Sequence, residues 1–278
     1  MSVLAGLTAA LSQGSVEIID LTTPLSSETP ILNLPHPFAN TVGLSVSPVS
    51  NFDDAGPAWA WNDVTVGEHA GTHLDAPVHW ITGKDGKSVD QIEPHRLVGP
   101  LVVIDKTAEA AADPDFLLEP EHFEQWQAEH GLFPENCWVI FRTGWAARGS
   151  DAAAFVNADD AGPHTPGVSA AGAKWLAGNA SISGFGVETV GIDAGQAGSL
   201  DPMFPVHSFL LGADKYGVTS LRNVDRLPVT GATLVVAPLP IVGGTGSPSR
   251  VYALVEKGTA ENGSVEKGTG EEGTVERA

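Results

Sequence analysis

Gly67-Glu68-His69-Ala70-Gly71-Thr72-His73-Leu74-Asp75-Ala76-Pro77-Val78-His79-Trp80 places three of the chain's nine histidines and an aspartate within eleven residues. A helical reading would put His69 and His73 one turn apart, but Gly71 weakens a helix, Pro77 breaks one, and Asp75 would point elsewhere. In an extended strand His69, His73, Asp75 and His79 share a face, yet at ~3.3 Å per residue His69 and His79 would stand roughly 33 Å apart. One ion cannot touch both. The chain must therefore fold back at Gly71 and again near Pro77, where a glycine and a proline permit it. His73 and Asp75, about 6.6 Å apart along a pleated strand, both reach an ion between them, and His69 joins across the bend. Two imidazoles and one carboxylate leave coordination positions open for water and substrate, as catalytic metal sites do. The ligand set read here is His69, His73 and Asp75, with His79 as a nearby, non-ligating base.

Outward from this segment the chain reads as sheet. Short Val/Ile-rich runs at 16–20, 99–105, 136–142, 182–188, 232–238 and 250–255 alternate with turns, and helices are few. One helix starts at Pro120, carries Phe123 and Trp126 on one face and stops at Gly131. Another starts after the N-cap Ser169 and turns Trp175 and Leu176 to the core. Gly243-Gly244-Thr245-Gly246-Ser247 lacks the Lys-Ser/Thr of a phosphate loop and reads as a turn between two strands. No linker divides residues 1–254, which form one α/β domain. From Val255 the motif Val-Glu-Lys-Gly-Thr recurs at 265 and, shortened, at 275, so 255–278 reads as a low-complexity, disordered tail.

The 278 residues carry 14 Lys+Arg against 34 Asp+Glu, a formal charge of −20. That balance argues against a nucleic-acid or anionic-membrane partner and for a small molecule. No run approaches the ~20 apolar residues of a membrane helix, the start lacks the positive region of a signal peptide, and the single cysteine, Cys137, lies in a strand-like run. A cytoplasmic protein with a core thiol is the expectation. His122 and His130 on the Pro120 helix, and His36, His95 and His164 in turns, read as structural.

The motif His69-x3-His73-x-Asp75-x3-His79 resembles the signature of the metal-dependent cyclase and amide-hydrolase family that includes bacterial kynurenine formamidase and isatin hydrolase. The resemblance extends from Ile19-Asp20-Leu21-Thr22 through Phe141-Arg142-Thr143-Gly144-Trp145, Gly186-Val187-Glu188-Thr189-Val190-Gly191-Ile192-Asp193 and Pro205-Val206-His207 to Gly243–Pro248. It implies a single swivelling β/β/α domain, sheet-rich with few helices, in a homodimer or higher homo-oligomer. Gly56-Pro57-Ala58-Trp59-Ala60-Trp61-Asn62 and Asp193-Ala194-Gly195-Gln196 place the chain nearest the isatin-hydrolase branch. Formamidases of this family supply a glutamate that helps hold a second metal, downstream of the histidine equivalent to His207; here Arg222 stands in its place. A cation disfavours a second divalent ion, so one ion is expected. The donor set suits Zn²⁺, Mn²⁺ or Fe²⁺, and the resemblance favours Mn²⁺, with Zn²⁺ as the alternative.

What the resemblance implies is a metal-dependent hydrolase that opens the C–N bond of a small aromatic cyclic amide, isatin to isatinate. The ion would activate a water and His79 would act as general base and then acid. Trp59, Trp61 and Trp80 offer flat surfaces for an aromatic substrate, and His207 a substrate contact. The alternatives are N-formylkynurenine hydrolysis at the same site, or a metal-dependent binder without catalysis.

Overall fold

The computed structural model describes residues 2–34 and 36–258. Its strands are β1 (Val16–Asp20), β2 (Ser45–Asn51), β3 (Ala60–Thr65), β4 (His73–Asp75), β5 (Val98–Asp105), β6 (Cys137–Arg142), β7 (Ile182–Val187), β8 (Tyr216–Val218), β9 (Ala232–Pro238) and β10 (Gly246–Glu256), besides several two-residue pairings. The helices are α1 (Val3–Gln13), α2 (Thr107–Ala112), α3 (Pro120–His130), α4 (Ala152–Val156) and α5 (Ala170–Gly178). Eight strands form one sheet in the order β1-β10-β9-β5-β6-β7-β8-β4. β4 also pairs with β10, so the sheet closes on itself.

Parity explains why the central strands read as unbroken apolar runs. β5, β6, β7 and β8 are parallel neighbours, and such strands are buried on both faces. Trp138 and Ile140 of β6, with Leu101 and Val103 of β5, face the inside of the closed sheet beside Leu74, Val218, Leu234 and Val251. Cys137, Val139 and Phe141, with Val102 and Ile104, face outward into a second core that Phe123, Trp126 and Leu176 of α3 and α5 cover. The half-buried Trp175 stacks on Phe123 with ring centroids 4.7 Å apart. Mixed α/β architecture, rich in strand, is thus what the sequence led one to expect.

One boundary differs from that expectation. β10 runs two residues past 254: Val255 pairs with Glu17 and is 4% exposed, and Glu256 pairs with Val16. The register keeps alternating there, so these two residues extend the sheet; the repeat from 259 onward lies outside the described residues. β2 and β3 form a separate hairpin whose residues, Ser50 excepted, are exposed.

Candidate metal centre

β4 is only three residues long, and both flanks are held. On one side Gly217 of β8 pairs with Asp75; on the other Gly246 and Pro248 of β10 pair with Asp75 and His73. A Cβ on Gly217 would lie 3.1 Å from Asp75 Oδ2, and one on Gly246 would lie 2.5 Å from His69 Cε1 and 2.6 Å from the Leu74 carbonyl oxygen. Hydrogen on both sides is therefore what lets the carboxylate and the His69 ring occupy this space. Both expected bends are present. Gly71 has φ +62°, and a Cβ there would also collide with Leu25; Pro77 opens a single 3-10 turn over Pro77–His79, closed by the His79 N–H donating to the Ala76 carbonyl at 2.9 Å.

The outer hydrogen bonds fix how the rings present their nitrogens. Thr245 spends its hydroxyl hydrogen on Glu68 Oε2 at 2.6 Å, so its oxygen accepts from His69 Nε2 at 2.9 Å. With its hydrogen on Nε2, the His69 ring turns the lone pair of Nδ1 toward Asp75 Oδ1, 2.8 Å away. His73 Nδ1 faces the Gly71 carbonyl at 2.8 Å, which can only accept, so Nδ1 carries the hydrogen and Nε2 turns its lone pair to the same Asp75 oxygen at 3.3 Å. Lone pairs of two imidazoles and a carboxylate thus converge on one point. Such an arrangement could hold a cation, and its borderline nitrogen and oxygen donors fit a divalent transition-metal ion. Asp75 is buried, 1% exposed.

Among the described residues, the ligand atoms of His69, Asp75 and His79 all lie within 4.8 Å of one another. This group differs from the expected set in holding His79 rather than His73. His73 approaches Asp75 edge-on to His69, with centroids 5.2 Å apart, whereas His79 stacks on His69 at 3.9 Å. Outer partners distinguish the two candidates. A metal-bound histidine donates its other ring N–H to a fixed acceptor, as His69 and His73 do. The described contacts of the His79 ring are ring faces, to His69, Trp80 and His207. Burial pushes the His79 imidazole down to about 3, and the neighbouring His69, His207 and His73 add to this against the pull of Asp75. It is neutral at pH 7, with a lone pair free.

His207 is shifted the opposite way. Burial would lower it, but Asp193 and Asp75 raise it above the ordinary histidine value. Its Nδ1 donates to Asp193 Oδ2 at 2.5 Å, and the Asp193 carboxylate also accepts the backbone N–H groups of Val206 and His207 at 2.7 and 3.1 Å. Nε2 is thereby aimed into the cluster, 4.0 Å from Asp75 Oδ2. Asp193 entered the sequence reading only as part of a matching stretch. Trp80 lies beside His207, with centroids 4.6 Å apart, and donates from Nε1 to Ser208 Oγ at 3.1 Å.

Trp59 and Trp61 are not brought to the cluster within one chain. They lie on the hairpin, 47% and 58% exposed, edge to face with each other at 6.1 Å. Arg222 donates to Asp20 Oδ2 at 3.1 Å. Among the described residues no second cluster of metal-ligating side chains accompanies the first. Of the other histidines, His164 bridges Asp115 and Asp159 at 2.7 and 3.2 Å, and His122 caps α3 through the Glu119 N–H.

The closed sheet, with a bent His/Asp segment laid across its seam, is the architecture of a known family. A family model described as putative cyclase matches residues 19–194, and the chain belongs to this cyclase family. It is 48% identical over 259 residues to isatin hydrolase from Roseibium aggregatum, covering 92% of this chain and 98% of that one. A solved isatin hydrolase with the product analogue thioisatinate bound superposes with a TM-score of 0.89 at 48% identity, covering 92% of this chain and all of that one. Kynurenine formamidase from Salinibacter ruber is more distant, 29% identical over 66% of this chain and 74% of its own length.

Proposed function

We propose that this chain hydrolyses isatin, or a close aromatic lactam, to the ring-opened keto-acid anion, with His69, His73 and Asp75 holding one divalent ion and His79 serving as the base. The observation that carries this reading is the convergence of the His69 and His73 lone pairs on Asp75 Oδ1, each ring fixed from behind by Thr245 and Gly71. When bound there, such an ion polarises an amide carbonyl and makes water acidic enough to attack it near neutral pH. Similarity to isatin hydrolase over almost the whole chain supports the substrate class, and Mn²⁺ is the ion we favour, with Zn²⁺ as the alternative.

The partners of the two rings sort their roles: the described contacts of the His79 ring are ring faces only, whereas His207 Nδ1 donates to Asp193 Oδ2. Neutral His79 accepts the proton of the attacking water and delivers it to the ring nitrogen as the C–N bond breaks. His207, held by Asp193 with its own proton retained, donates from Nε2 to the second carbonyl and then to the carboxylate of the product. Trp80 supplies an aromatic face at its side. The net negative charge of the chain favours release of the anion.

The hairpin supports a homo-oligomer. A two-stranded ribbon is marginal alone, and this one exposes Val46, Val49, Phe52, Trp59, Trp61 and Val64 together. A second copy covering it removes that apolar surface from water and gives Trp59 and Trp61 a place beside a substrate pocket. No helix among the described residues is long and apolar enough to cross a membrane. The one thiol, Cys137, is buried and free, which suits the cytoplasm.

Incubation with isatin and with N-formylkynurenine, each with Mn²⁺ added, tests the assignment. Loss of isatin's long-wavelength absorbance is expected; a chain that leaves isatin unchanged, or prefers the formamide, overturns it. His79→Ala separates catalysis from binding: it should keep the ion and lose turnover, whereas a non-catalytic binder would show no turnover to lose.

A further inference from the structure

Glu68 lies one residue before His69, outside any expected ligand set, and Thr245 lies in the turn that precedes β10. Glu68 Oε2 accepts twice from Thr245, from its hydroxyl at 2.6 Å and its backbone N–H at 3.1 Å. The Thr245 carbonyl in turn accepts the Ala76 N–H at 3.0 Å, which ties this turn to the end of β4. The Thr245 oxygen meets His69 Nε2 at 2.9 Å.

We propose that Glu68 and Thr245 act as positioning residues that choose the tautomer of His69, holding the hydrogen on Nε2 so that Nδ1 presents its lone pair to the ion. This deepens the metal-centre reading above and rests on it.

A hydroxyl can donate or accept, so Thr245 alone would not decide the matter. If its hydrogen were free it could donate to Nε2, the ring hydrogen would move to Nδ1, and a hydrogen would stand where the ion needs a lone pair. Glu68 removes that choice by taking the hydroxyl hydrogen itself, since an ionised carboxylate only accepts. The backbone N–H of Thr245 on the same oxygen locks the carboxylate in register with the turn. Gly246 follows at once, and its missing side chain leaves room for the ring so held. At His73 the Gly71 carbonyl, which can only accept, faces Nδ1 at 2.8 Å, and the Thr219 hydroxyl lies 3.1 Å from the same nitrogen.

The test uses the full chain, stripped of metal and reloaded. Thr245→Val removes the hydroxyl while keeping the shape, and Glu68→Ala frees the hydroxyl hydrogen. Each should weaken Mn²⁺ binding, read by competition with a chelator, by about 10–100-fold, with the circular dichroism spectrum unchanged. Thr245→Ser and Glu68→Gln keep the hydroxyl and the acceptor oxygen and should restore most of the affinity. Histidine nitrogen NMR of the metal-free protein reads the tautomer directly: His69 should carry hydrogen on Nε2 in wild type, and that signature should be lost or mixed in Glu68→Ala. Wild-type affinity in both Thr245→Val and Glu68→Ala overturns the proposal, as does weakened binding with the His69 tautomer unchanged, which would mark a merely structural tie. A wild-type chain that takes up neither ion refutes the metal-centre reading itself, and the proposal with it.

Discussion

Gly246→Ala adds one methyl group at the seam where β10 meets β4, far in sequence from every histidine of the cluster. The new carbon would lie 2.5 Å from His69 Cε1, 2.6 Å from the Leu74 carbonyl oxygen and 3.0 Å from His69 Nδ1. Carbon–carbon contacts settle near ~3.5 Å and carbon–oxygen contacts near ~3.3 Å, so the overlaps are roughly 1 Å and 0.7 Å. The Leu74 oxygen belongs to a backbone paired on both sides and cannot yield alone. Either β10 moves away from β4 or the His69 ring swings off Asp75. Overpacking of this kind costs about 1–3 kcal/mol of stability, and a displacement of ~1 Å in a catalytic geometry costs about 100-fold in rate. Gly178→Ala is the control: its Cβ meets nothing within 4 Å and it lies in α5, so it should be neutral or stabilise by up to ~1 kcal/mol. Isatin turnover, Mn²⁺ affinity and thermal unfolding of the two variants would be compared with wild type. A Gly246→Ala protein with undiminished turnover and affinity would show that the ring and carboxylate are not held as described.

Gly71→Ala should cost about 1–2 kcal/mol for left-handed backbone alone, and more from the collision with Leu25, with Mn²⁺ binding weakened because His69 and His73 lie on either side of the bend; denaturant unfolding with parallel Mn²⁺ titration measures both. Asp193→Asn removes the charge that raises His207, so the limb of the kcat/KM pH profile assigned to His207 should move to lower pH and kcat/KM should fall by about 10–100-fold, the equivalent of losing a hydrogen bond to a charged group worth ~1.5–3 kcal/mol; superimposable profiles would remove His207 from the chemistry. Burial pushes the Cys137 thiol from 9.0 up to about 12. A thiol raised on folding contributes stability that is full below pH 9 and is lost as pH rises through about 12, roughly 4 kcal/mol at ~1.4 kcal/mol per pH unit. Cys137→Val should therefore flatten the alkaline side of the stability curve, and an unchanged curve would refute this.

The strands of the body were legible because β5, β6 and β7 are buried on both faces and so are written as continuous Val/Ile/Phe runs. Two of the five helices, α3 and α5, announced themselves through Pro120 and Ser169, whose chemistry is local. The fold-back at Gly71 and Pro77 followed from the reach of the chain. Closure of the sheet was not legible: β4 pairs with β8 and β10, more than 140 residues away in sequence, and a three-residue strand carries no periodicity. Trp61 lies in β3, but Trp59 falls just before its first residue, Ala60, so the shared strand their spacing implied is not formed. Thr245 was read correctly as part of a turn, and nothing local shows that its hydroxyl meets a ring placed 176 residues earlier. Asp193 was hidden for the same reason, since its partner His207 is brought to it by tertiary structure.

Calorimetric titration of metal-free protein with Mn²⁺, for wild type and for Asp75→Ala, addresses the metal centre most directly. One ion per chain in wild type, and none at that site in the variant with its fold retained, is the expected result. Two ions per chain, no uptake by wild type, or equal uptake by Asp75→Ala would contradict it.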